Sequence, residues 1–342
     1  PVAVAMQRRG QSAIAEIPES LRSLTPTHVP LSARPLLGID ALENLGQPDV
    51  SNPGALDSIS QLSELPESFE ALIDQLSAKS NGVVLAMGKG GVGKSTVTTN
   101  LAAALARQGL SVGLLDADIY GPSQQHMLGV PEHTTPDQQD GEFLLPVEAH
   151  GLKTMSMGYL SSAKTPMVWR GPMASSAMSQ LLEKTLWGDL DILLVDMPPG
   201  TGDIQLTLAQ RATLSGAVIV TTPQDIALLD ARKGIEMFQK VDVPVLGLIE
   251  NMAAYVCTAC GHVEPLFGEQ GGEALAGQYD VPLLGQIPLD RAIREYADAG
   301  QPIVVVEPEG AIAGVYQQAA TALMASLGQH QPAQAPVISM GD

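Results

Sequence analysis

The stretch "MGKGGVGKST" (87–96) constrains the fold of this 342-residue chain more than any other feature. It follows the apolar run "GVVLAM" (82–87) and opens a helical stretch, so a strand passes through a glycine-rich loop into a helix. Glycines allow successive backbone N–H groups to point inward, and the helix start adds its positive dipole end. In this context the pattern G-x-x-x-x-G-K-[ST] predicts a loop that binds nucleotide phosphates.

The side chains of this loop indicate how ATP and a metal ion are held. Lys94 is expected to reach the β- and γ-phosphates, Ser95 to hold Mg²⁺, and Thr96 to contact the inner phosphates. Lys89 completes the deviant Walker A pattern K-G-G-x-G-K-[ST], whose first lysine reaches the nucleotide of a partner subunit; the alternative is a solvent-exposed loop lysine. An ammonium supplied in trans stabilises charge on the transferred phosphoryl group. The predicted nucleotide-binding residues of the loop are Gly88, Lys89, Gly90, Gly91, Val92, Gly93, Lys94, Ser95 and Thr96.

Apolar runs alternate with helical stretches from residue 82 onward, which predicts an α/β fold of the P-loop NTPase class. Continuous apolar strands separated by helices indicate a mostly parallel sheet with helices on both faces. We expect three parts: a proline-rich, weakly ordered extension or linker (1–80), a P-loop ATPase domain (81–327) and a flexible tail (328–342). The predicted strands span 82–87, 111–116, 152–157, 191–196, 216–221, 243–250 and 282–287.

Acidic residues follow two of these strands, where parallel strands end at one edge of the sheet. "LLDADIYGPS" (114–123) carries Asp116 and Asp118, where a carboxylate can orient the attacking water or meet Mg²⁺. "ILLVDMPPGTGD" (192–203) carries Asp196, a Walker B carboxylate expected to hold Mg²⁺ through water. Any one of them alone could be a helix cap, but together beside a phosphate loop they indicate one site.

The composition argues against several classes of partner. Eighteen Lys and Arg stand against 37 Asp and Glu, a net charge of −19, and such a chain repels nucleic acid and anionic lipid. We therefore expect neither nucleic-acid nor membrane partners. Two cysteines in one tetrapeptide do not form a disulfide framework, and the first residues show no signal pattern, so we expect a cytoplasmic protein.

Eight stretches, in order, resemble the Mrp-type iron–sulfur cluster carrier ATPases of the deviant Walker A group. They are "GKGGVGKST" (88–96), "LLDADIYGPS" (114–123), "VWRGPM" (168–173), "DMPPGTGD" (196–203), "TTPQDIALLDARKG" (221–234), "ENMAAYVCTACG" (250–261), "FGEQGG" (267–272) and "LLGQIPLD" (283–290). The resemblance implies that Asn251 recognises adenine and that Asp118 serves hydrolysis. The extension over 1–80 resembles the closing strand, helix and linker of an arsenite-pump ATPase half.

Both cysteines of the chain, Cys257 and Cys260, lie in "YVCTACGH" (255–262). Haem attachment needs the pattern C-x-x-C-H, but here Gly261 lies between Cys260 and His262. A zinc site within one chain would lack ligands, because His262 adds at most one to the two cysteines. A thioredoxin-like pair would lie at a helix start within its own fold, and two incidental cysteines remain an alternative. A second copy related by a twofold axis would complete four thiolates, which suits a bridging 4Fe–4S cluster in a homodimer.

Three functions are compatible with these features. The leading hypothesis is an ATP-hydrolysing carrier that holds a labile cluster and passes it to apo iron–sulfur proteins. A partition or site-selection switch ATPase would share the loop, but it predicts a basic surface or a membrane helix and leaves the cysteine pair unexplained. An arsenite-pump ATPase would use thiols, but its switch sequence differs from "DMPPGTGD" and its pseudo-dimer needs two ATPase halves in one chain.

Overall fold

The structure, a computed structural model, describes residues 82–140, 143–160, 171–200, 205, 214–257 and 259–330, without the side chains of 171–176 and 179. The expected extension over 1–80 and most of the expected tail lie outside these residues, so both stay predictions. None of the helices in the described ranges combines the length and apolar character that crossing a bilayer requires.

A strand lies over each of the seven predicted apolar runs, and four further short strands, over 138–139, 143–144, 147–149 and 263–264, were not predicted. The largest difference in length is in the strand Val245–Val256, called β9. β9 runs to Val256, six residues beyond its predicted end at residue 250, because its later residues pair with both β10 and β11. The strands are β1 (Gly82–Gly88), β2 (Val112–Asp116), β3 (Gln138–Gln139), β4 (Phe143–Leu144), β5 (Val147–Ala149), β6 (Leu152–Ser156), β7 (Ile192–Asp196), β8 (Gly216–Thr221), β9 (Val245–Val256), β10 (Val263–Glu264) and β11 (Leu283–Leu289).

Five of the helices named here lie between strands, and three follow the last strand. They are α1 (Lys94–Arg107), α2 (Gln124–Met127), α3 (Gly171–Lys184), α4 (Asp225–Lys240), α5 (Gly271–Tyr279), α6 (Arg291–Asp298), α7 (Ile303–Val306) and α8 (Ala311–His330). The last helix continues three residues past the expected domain end at residue 327. Leu323 and Leu327 are buried in the core, whereas the three residues that follow, 328–330, are exposed.

The main sheet has the strand order β10-β9-β8-β1-β7-β2-β6-β5, and β11 also pairs with β9. The pairs that involve β1, β2, β7 and β8 are all parallel, whereas β5 and β10 run antiparallel to their neighbours. A mostly parallel sheet is therefore confirmed. Its geometry brings the ends of β1, β2, β7 and β9 to one edge, where the predicted site residues follow.

The centre of the sheet is covered on both faces. Every residue of β1, β2, β7 and β8 is buried, although side chains alternate between the two faces of a strand. Helices α1 and α8 contact each other and form one covering group. Helix α1 contacts β2, and helix α8 contacts β9 and β11. Helices α4 and α5 form the other, in contact with β1, β8 and β9. Such burial fixes the strand ends, and it thereby fixes the loops that carry the candidate site.

Candidate nucleotide site and cysteine hairpin

The glycine-rich loop connects β1 to α1 in a conformation that depends on two glycines. Gly91 and Gly93 have φ angles of 90° and 76°, in the left-handed region that side chains other than glycine disfavour. At Gly93 a Cβ would also lie 2.5 Å from Nδ2 of Asn251. Helix α1 begins at Lys94, and its first turn has no acidic residue and no side-chain cap among the described residues. Its N-terminal N–H groups therefore suit an anionic ligand such as a phosphate chain.

Lys94 is buried, and its ammonium contacts a carboxylate that the sequence placed in the same site. Nζ bonds Oδ1 of Asp196 at the end of β7 and lies 3.5 Å from Oγ of Ser95. The structure thus brings Lys94, the lysine predicted to reach the phosphates, next to Ser95 and Asp196, the two residues predicted to hold Mg²⁺. A hydroxyl and a carboxylate beside a phosphate loop are the oxygen donors that Mg²⁺ prefers.

Gln124 is a site residue that the sequence analysis missed. Its side chain is almost completely buried, and its amide Nε2 donates to Oδ2 of Asp196 (2.8 Å) and to the carbonyl of Ser95 (3.2 Å). Its Oε1 accepts from Oγ1 of Thr99 at 2.5 Å. Gln124 follows the quoted stretch 114–123 directly, but its neighbour Gln125 has the same side chain, so no pattern marks it as buried. It links α1, the Walker B strand and the turn after β2.

Asp116 is wholly buried and faces Asp196 across neighbouring strands, where the two residues are register partners. It accepts from the backbone N–H groups of Asp118 (3.1 Å), Ser123 (2.9 Å) and Gln124 (3.0 Å). Burial, together with the charge of Asp196, raises the pKa of Asp116 from 3.8 to about 7. Asp116 therefore holds the turn after β2 in place, and it binds its proton far more tightly than an ordinary carboxyl.

This raised pKa predicts how stability depends on pH in the nucleotide-free protein. Because the folded pKa of Asp116 is about 7 and the unfolded value is 3.8, the folded state binds more protons between them. The free energy of unfolding should fall as pH rises from 4 to 7, by at most about 1.4 kcal/mol per pH unit, and then level off. Urea denaturation between pH 4 and 8 measures this slope.

Two aspartate-to-asparagine variants separate Asp116 from other titrating groups. Asp116→Asn cannot ionise and keeps an oxygen acceptor, so it should lose much of this slope. Asp242→Asn changes an exposed aspartate in a left-handed turn that asparagine tolerates, so it should behave like the parent. Equal slopes in parent and Asp116→Asn would contradict the raised pKa.

Three further predicted site residues, Asp118, Asn251 and Thr96, make contacts other than those expected of them. Asp118 is half-buried, and its Oδ1 accepts from the N–H of Gly121 at 3.2 Å, so its carboxylate is more accessible than that of Asp116. Asn251 donates from Nδ2 to the carbonyl of Val92 at 2.8 Å, which ties β9 to the phosphate loop. Oγ1 of Thr96 lies 3.9 Å from the sulfur of Met127. Their expected roles in hydrolysis, adenine recognition and phosphate contact stay predictions.

Lys89 forms an ion pair within its own chain. Its Nζ lies 2.9 Å from Oδ2 of Asp230 on α4, and both side chains are about one-third exposed, at 34% and 32%. Lys233 contacts the other oxygen of the same carboxylate at 3.3 Å. The pKa of Asp230 is lowered, first by its hydrogen bond from Lys89. A role for Lys89 in a partner's site therefore requires that it leave Asp230.

The cysteines lie in a hairpin beyond the main part of the sheet. β9 and β10 flank the turn, with Val256 opposite Val263, and the N–H of Cys257 donates to the carbonyl of His262 at 2.8 Å. The N–H of Gly261 returns to the carbonyl of Cys257 at 2.8 Å. Cys257 is half-buried and Cys260 is exposed, and both thiols are free. These two backbone hydrogen bonds hold the turn that carries the thiols.

The electrostatics of the turn favour a thiolate. The backbone N–H groups of Ala259 and Cys260, followed by the Cys260 thiol, lower the pKa of Cys257. Thiolates, rather than thiols, are the form of cysteine that binds metals. Within the described ranges, no cluster of three or more His, Cys, Asp or Glu side chains is placed to hold a metal ion. The hairpin therefore offers two sulfur ligands per chain.

Comparison with protein families places the chain among P-loop NTPases. Residues 79–324 match the family described as ParA: NUBPL iron-transfer P-loop NTPase. The chain belongs to this family. The resemblance to iron–sulfur carrier ATPases that the sequence motifs indicate is therefore confirmed.

Individual relatives support the same assignment. The iron-sulfur cluster carrier protein of Pseudomonas fragi is 58% identical over 255 residues, which cover 75% of this chain and 89% of the relative. The protein of the same name from Escherichia coli (strain K12) is 56% identical over 247 residues, covering 72% of this chain and 67% of the relative. Among solved structures, the nucleotide-binding protein of Archaeoglobus fulgidus in complex with ADP is similar, with a TM-score of 0.62 and 37% identity. That likeness covers 73% of this chain and 96% of the other.

Proposed function

We propose that this chain is an ATP-hydrolysing carrier that holds a labile 4Fe–4S cluster between two copies of itself and transfers it to apo iron–sulfur proteins. The observation that carries the proposal is the hairpin that holds two thiols, Cys257 and Cys260. A 4Fe–4S cluster takes four thiolates, and a twofold axis presents the same two from each subunit. Ligands shared between separable subunits favour release of the cluster over permanent storage.

In this proposal, ATP binding and hydrolysis at the nucleotide site drive the transfer of the cluster. Lys94 would stabilise charge on the β- and γ-phosphates, and Asp118 would orient the attacking water. Ser95 and Asp196 would hold Mg²⁺, which neutralises phosphate charge when bound. The hydrogen bond from Nε2 of Gln124 to Oδ2 of Asp196 (2.8 Å) would help to orient this carboxylate. A cytoplasmic location and the absence of nucleic-acid and membrane partners stay predictions.

Anaerobic reconstitution of the full chain with iron and sulfide tests the proposal. We expect a brown protein with about four iron and four sulfide per dimer and a broad band of visible absorbance. Incubation with an apo ferredoxin should move the iron and sulfide to that acceptor, faster with Mg-ATP than without nucleotide. A parent protein that stays colourless and monomeric, with iron below stoichiometric amounts, would refute the proposal. Zinc without sulfide would replace it by a zinc site.

The trans role of Lys89 gives a separate prediction. Lys89→Ala should bind ATP as the parent does but lose most of its turnover, because the partner's phosphoryl group then lacks an ammonium. ATP hydrolysis per active site, measured at saturating nucleotide, checks this. Lys184→Ala changes an exposed lysine at the end of α3 and should hydrolyse ATP at the parent rate. Unchanged turnover in Lys89→Ala would show that Lys89 merely pairs with Asp230.

A further inference from the structure

A cavity of about 300 Å³ lies between β9, β11 and the loop that connects β10 to α5. Glu250, one of its lining residues, precedes Asn251 on β9, and the two side chains make contacts in different parts of the fold. Asn251 donates to the carbonyl of Val92 in the phosphate loop, whereas Glu250 accepts from the N–H of Gly272 at the start of α5. Successive side chains of a strand point to opposite faces, so the cavity lies across the sheet from the contact between Asn251 and the phosphate loop.

Glu250 is a buried carboxylate without a cation. It is 1% exposed, and its two oxygens accept from the N–H of Gly272 and from Nε2 of Gln286, the latter at 3.2 Å. Within the described ranges, no lysine, arginine or histidine forms an ion pair with it. A carboxylate has about four acceptor positions, so both oxygens can accept further hydrogen bonds. A buried charge without a counter-charge is unfavourable, so the cavity favours a cationic ligand.

The chain around the cavity is acidic. Residues 241–290 contain seven Asp and Glu and no Lys or Arg. Glu269 lines the cavity and is exposed, and so are Gln270 and Gln286. They add a second carboxylate and two amide oxygens to the acceptors of Glu250. The surface therefore attracts positively charged groups and offers them several acceptors.

The size and composition of the cavity favour an arginine side chain over a metal ion. No group of three or more His, Cys, Asp or Glu in the described part of the chain is placed to hold a metal ion. A guanidinium instead carries several N–H donors in a planar fork, which can pair with a carboxylate and with amide oxygens at once. The cavity also has apolar lining, on which the methylene groups of an arginine can pack, from Ala253, Ala254, Pro265 and Pro288.

We propose that this cavity, called the arginine cavity below, binds an arginine side chain of the apo protein that receives the cluster. This inference rests on the proposed function. Ala254 lies near the end of β9, and Pro265 directly follows β10, so the arginine cavity adjoins the two strands that hold Cys257 and Cys260. An arginine bound there brings the acceptor beside the thiols. Recognition of one charged side chain thereby selects acceptors by electrostatic complementarity.

Two blocked tripeptides, added to the full chain without cluster or nucleotide, test the arginine cavity. One is acetyl-Ala-Arg-Ala-amide, and the other has citrulline in place of arginine, which keeps the shape without the charge. The arginine peptide should bind at least about tenfold more tightly, because hydrogen bonds between charged groups are the stronger ones. NMR titration should shift the N–H of Gly272 and the side-chain amide of Gln286, since both contact Glu250. Free L-arginine should bind more weakly than the peptide, because the acidic surface repels its α-carboxylate.

Three glutamate-to-glutamine variants locate the binding. Glu250→Gln removes the buried charge and should abolish the preference for arginine over citrulline, and thermal unfolding checks that it folds. Glu269→Gln changes an exposed side chain, so it tests the cavity without disturbing the core, and it should weaken binding of the arginine peptide about threefold. Glu132→Gln is the control, because Glu132 is exposed in the turn after α2, and it should bind both peptides like the parent.

A matched pair of acceptors tests the identity of the partner. Two apo ferredoxins that differ by one residue beside their cluster cysteines, arginine in one and glutamine in the other, receive the cluster from the loaded protein. The parent should transfer the cluster about threefold faster to the arginine form, and Glu269→Gln should reduce this difference. Equal rates of transfer from the parent would overturn the acceptor as the occupant of the arginine cavity.

The outcomes separate this proposal from the proposed function. A parent that binds neither peptide, or that binds both equally, would overturn the arginine cavity and leave the carrier function standing. Free L-arginine that binds more tightly than the peptide would indicate a site for a small molecule, and the proposal would be wrong. A parent that binds the arginine peptide but never binds iron would overturn the proposed function, and with it the cluster acceptor as the partner.

Discussion

Lys94→Ala is expected to abolish ATP hydrolysis, with a loss of at least about a hundredfold, because the buried ammonium is the main positive charge aimed at the phosphates. The structure adds a second consequence. Lys94 is the cation that contacts Asp196, and Asp196 lies beside Asp116, so the variant leaves two buried carboxylates without this cation. Phosphate release at saturating Mg-ATP measures the first effect, and thermal unfolding without nucleotide measures the second.

Lys240→Ala provides the matched control, since Lys240 is an exposed lysine at the end of α4. It should hydrolyse ATP and unfold like the parent. Lys94→Met separates charge from bulk, because it keeps the length of the side chain without the ammonium, and it should be as inactive as Lys94→Ala. Hydrolysis at the parent rate in either Lys94 variant would disprove the assignment of the phosphate loop.

Cys257→Ala and Cys260→Ala should each lose the cluster completely, because one substitution removes two of four ligands from every dimer. Anaerobic reconstitution followed by iron and sulfide analysis measures this loss. Mixed dimers with one changed chain keep three thiols and should hold the cluster poorly. ATP binding should persist in all of them, since the hairpin ends β9 while the phosphate loop follows β1.

His262→Ala is the informative control for the cysteine variants. The hairpin uses the backbone carbonyl of His262, which alanine retains, so the cluster should stay. Loss of metal in this variant would instead indicate an imidazole ligand and point to zinc. Full iron and sulfide content in Cys257→Ala would leave the two cysteines incidental.

The sheet and the phosphate loop were predictable from sequence because each depends on a local pattern. Buried parallel strands require continuous apolar runs, and the glycines of the loop are dictated by backbone conformation at Gly91 and Gly93. The candidate carboxylates were also found, since Asp116 and Asp196 end such strands. Features that depend on a local sequence pattern could therefore be predicted from the sequence.

Features that depend on contacts between distant segments were not predictable. Gln124 is buried because α1 and β7 close over it, and a polar helix of four residues carries no sign of that. The pairing of Lys89 with Asp230 joins residues 141 positions apart. The six-residue extension of β9 depends on strands that pair with it from later in the chain. None of these contacts leaves a periodic signal.

The long strand β9 has a thermodynamic consequence. Asn251 in this strand contacts the phosphate loop, and Cys257 follows six residues later, directly after the end of the same strand. Such a covalent connection lets occupancy of one site bias the other. Coupling between two equilibria is reciprocal, so if ATP lowers the affinity for the cluster by some factor, a loaded cluster lowers the affinity for ATP by the same factor. A carrier that holds a cluster would then bind ATP more weakly than an empty carrier at the same ATP concentration. The bound cluster would thereby influence when ATP binds and when the cluster is released.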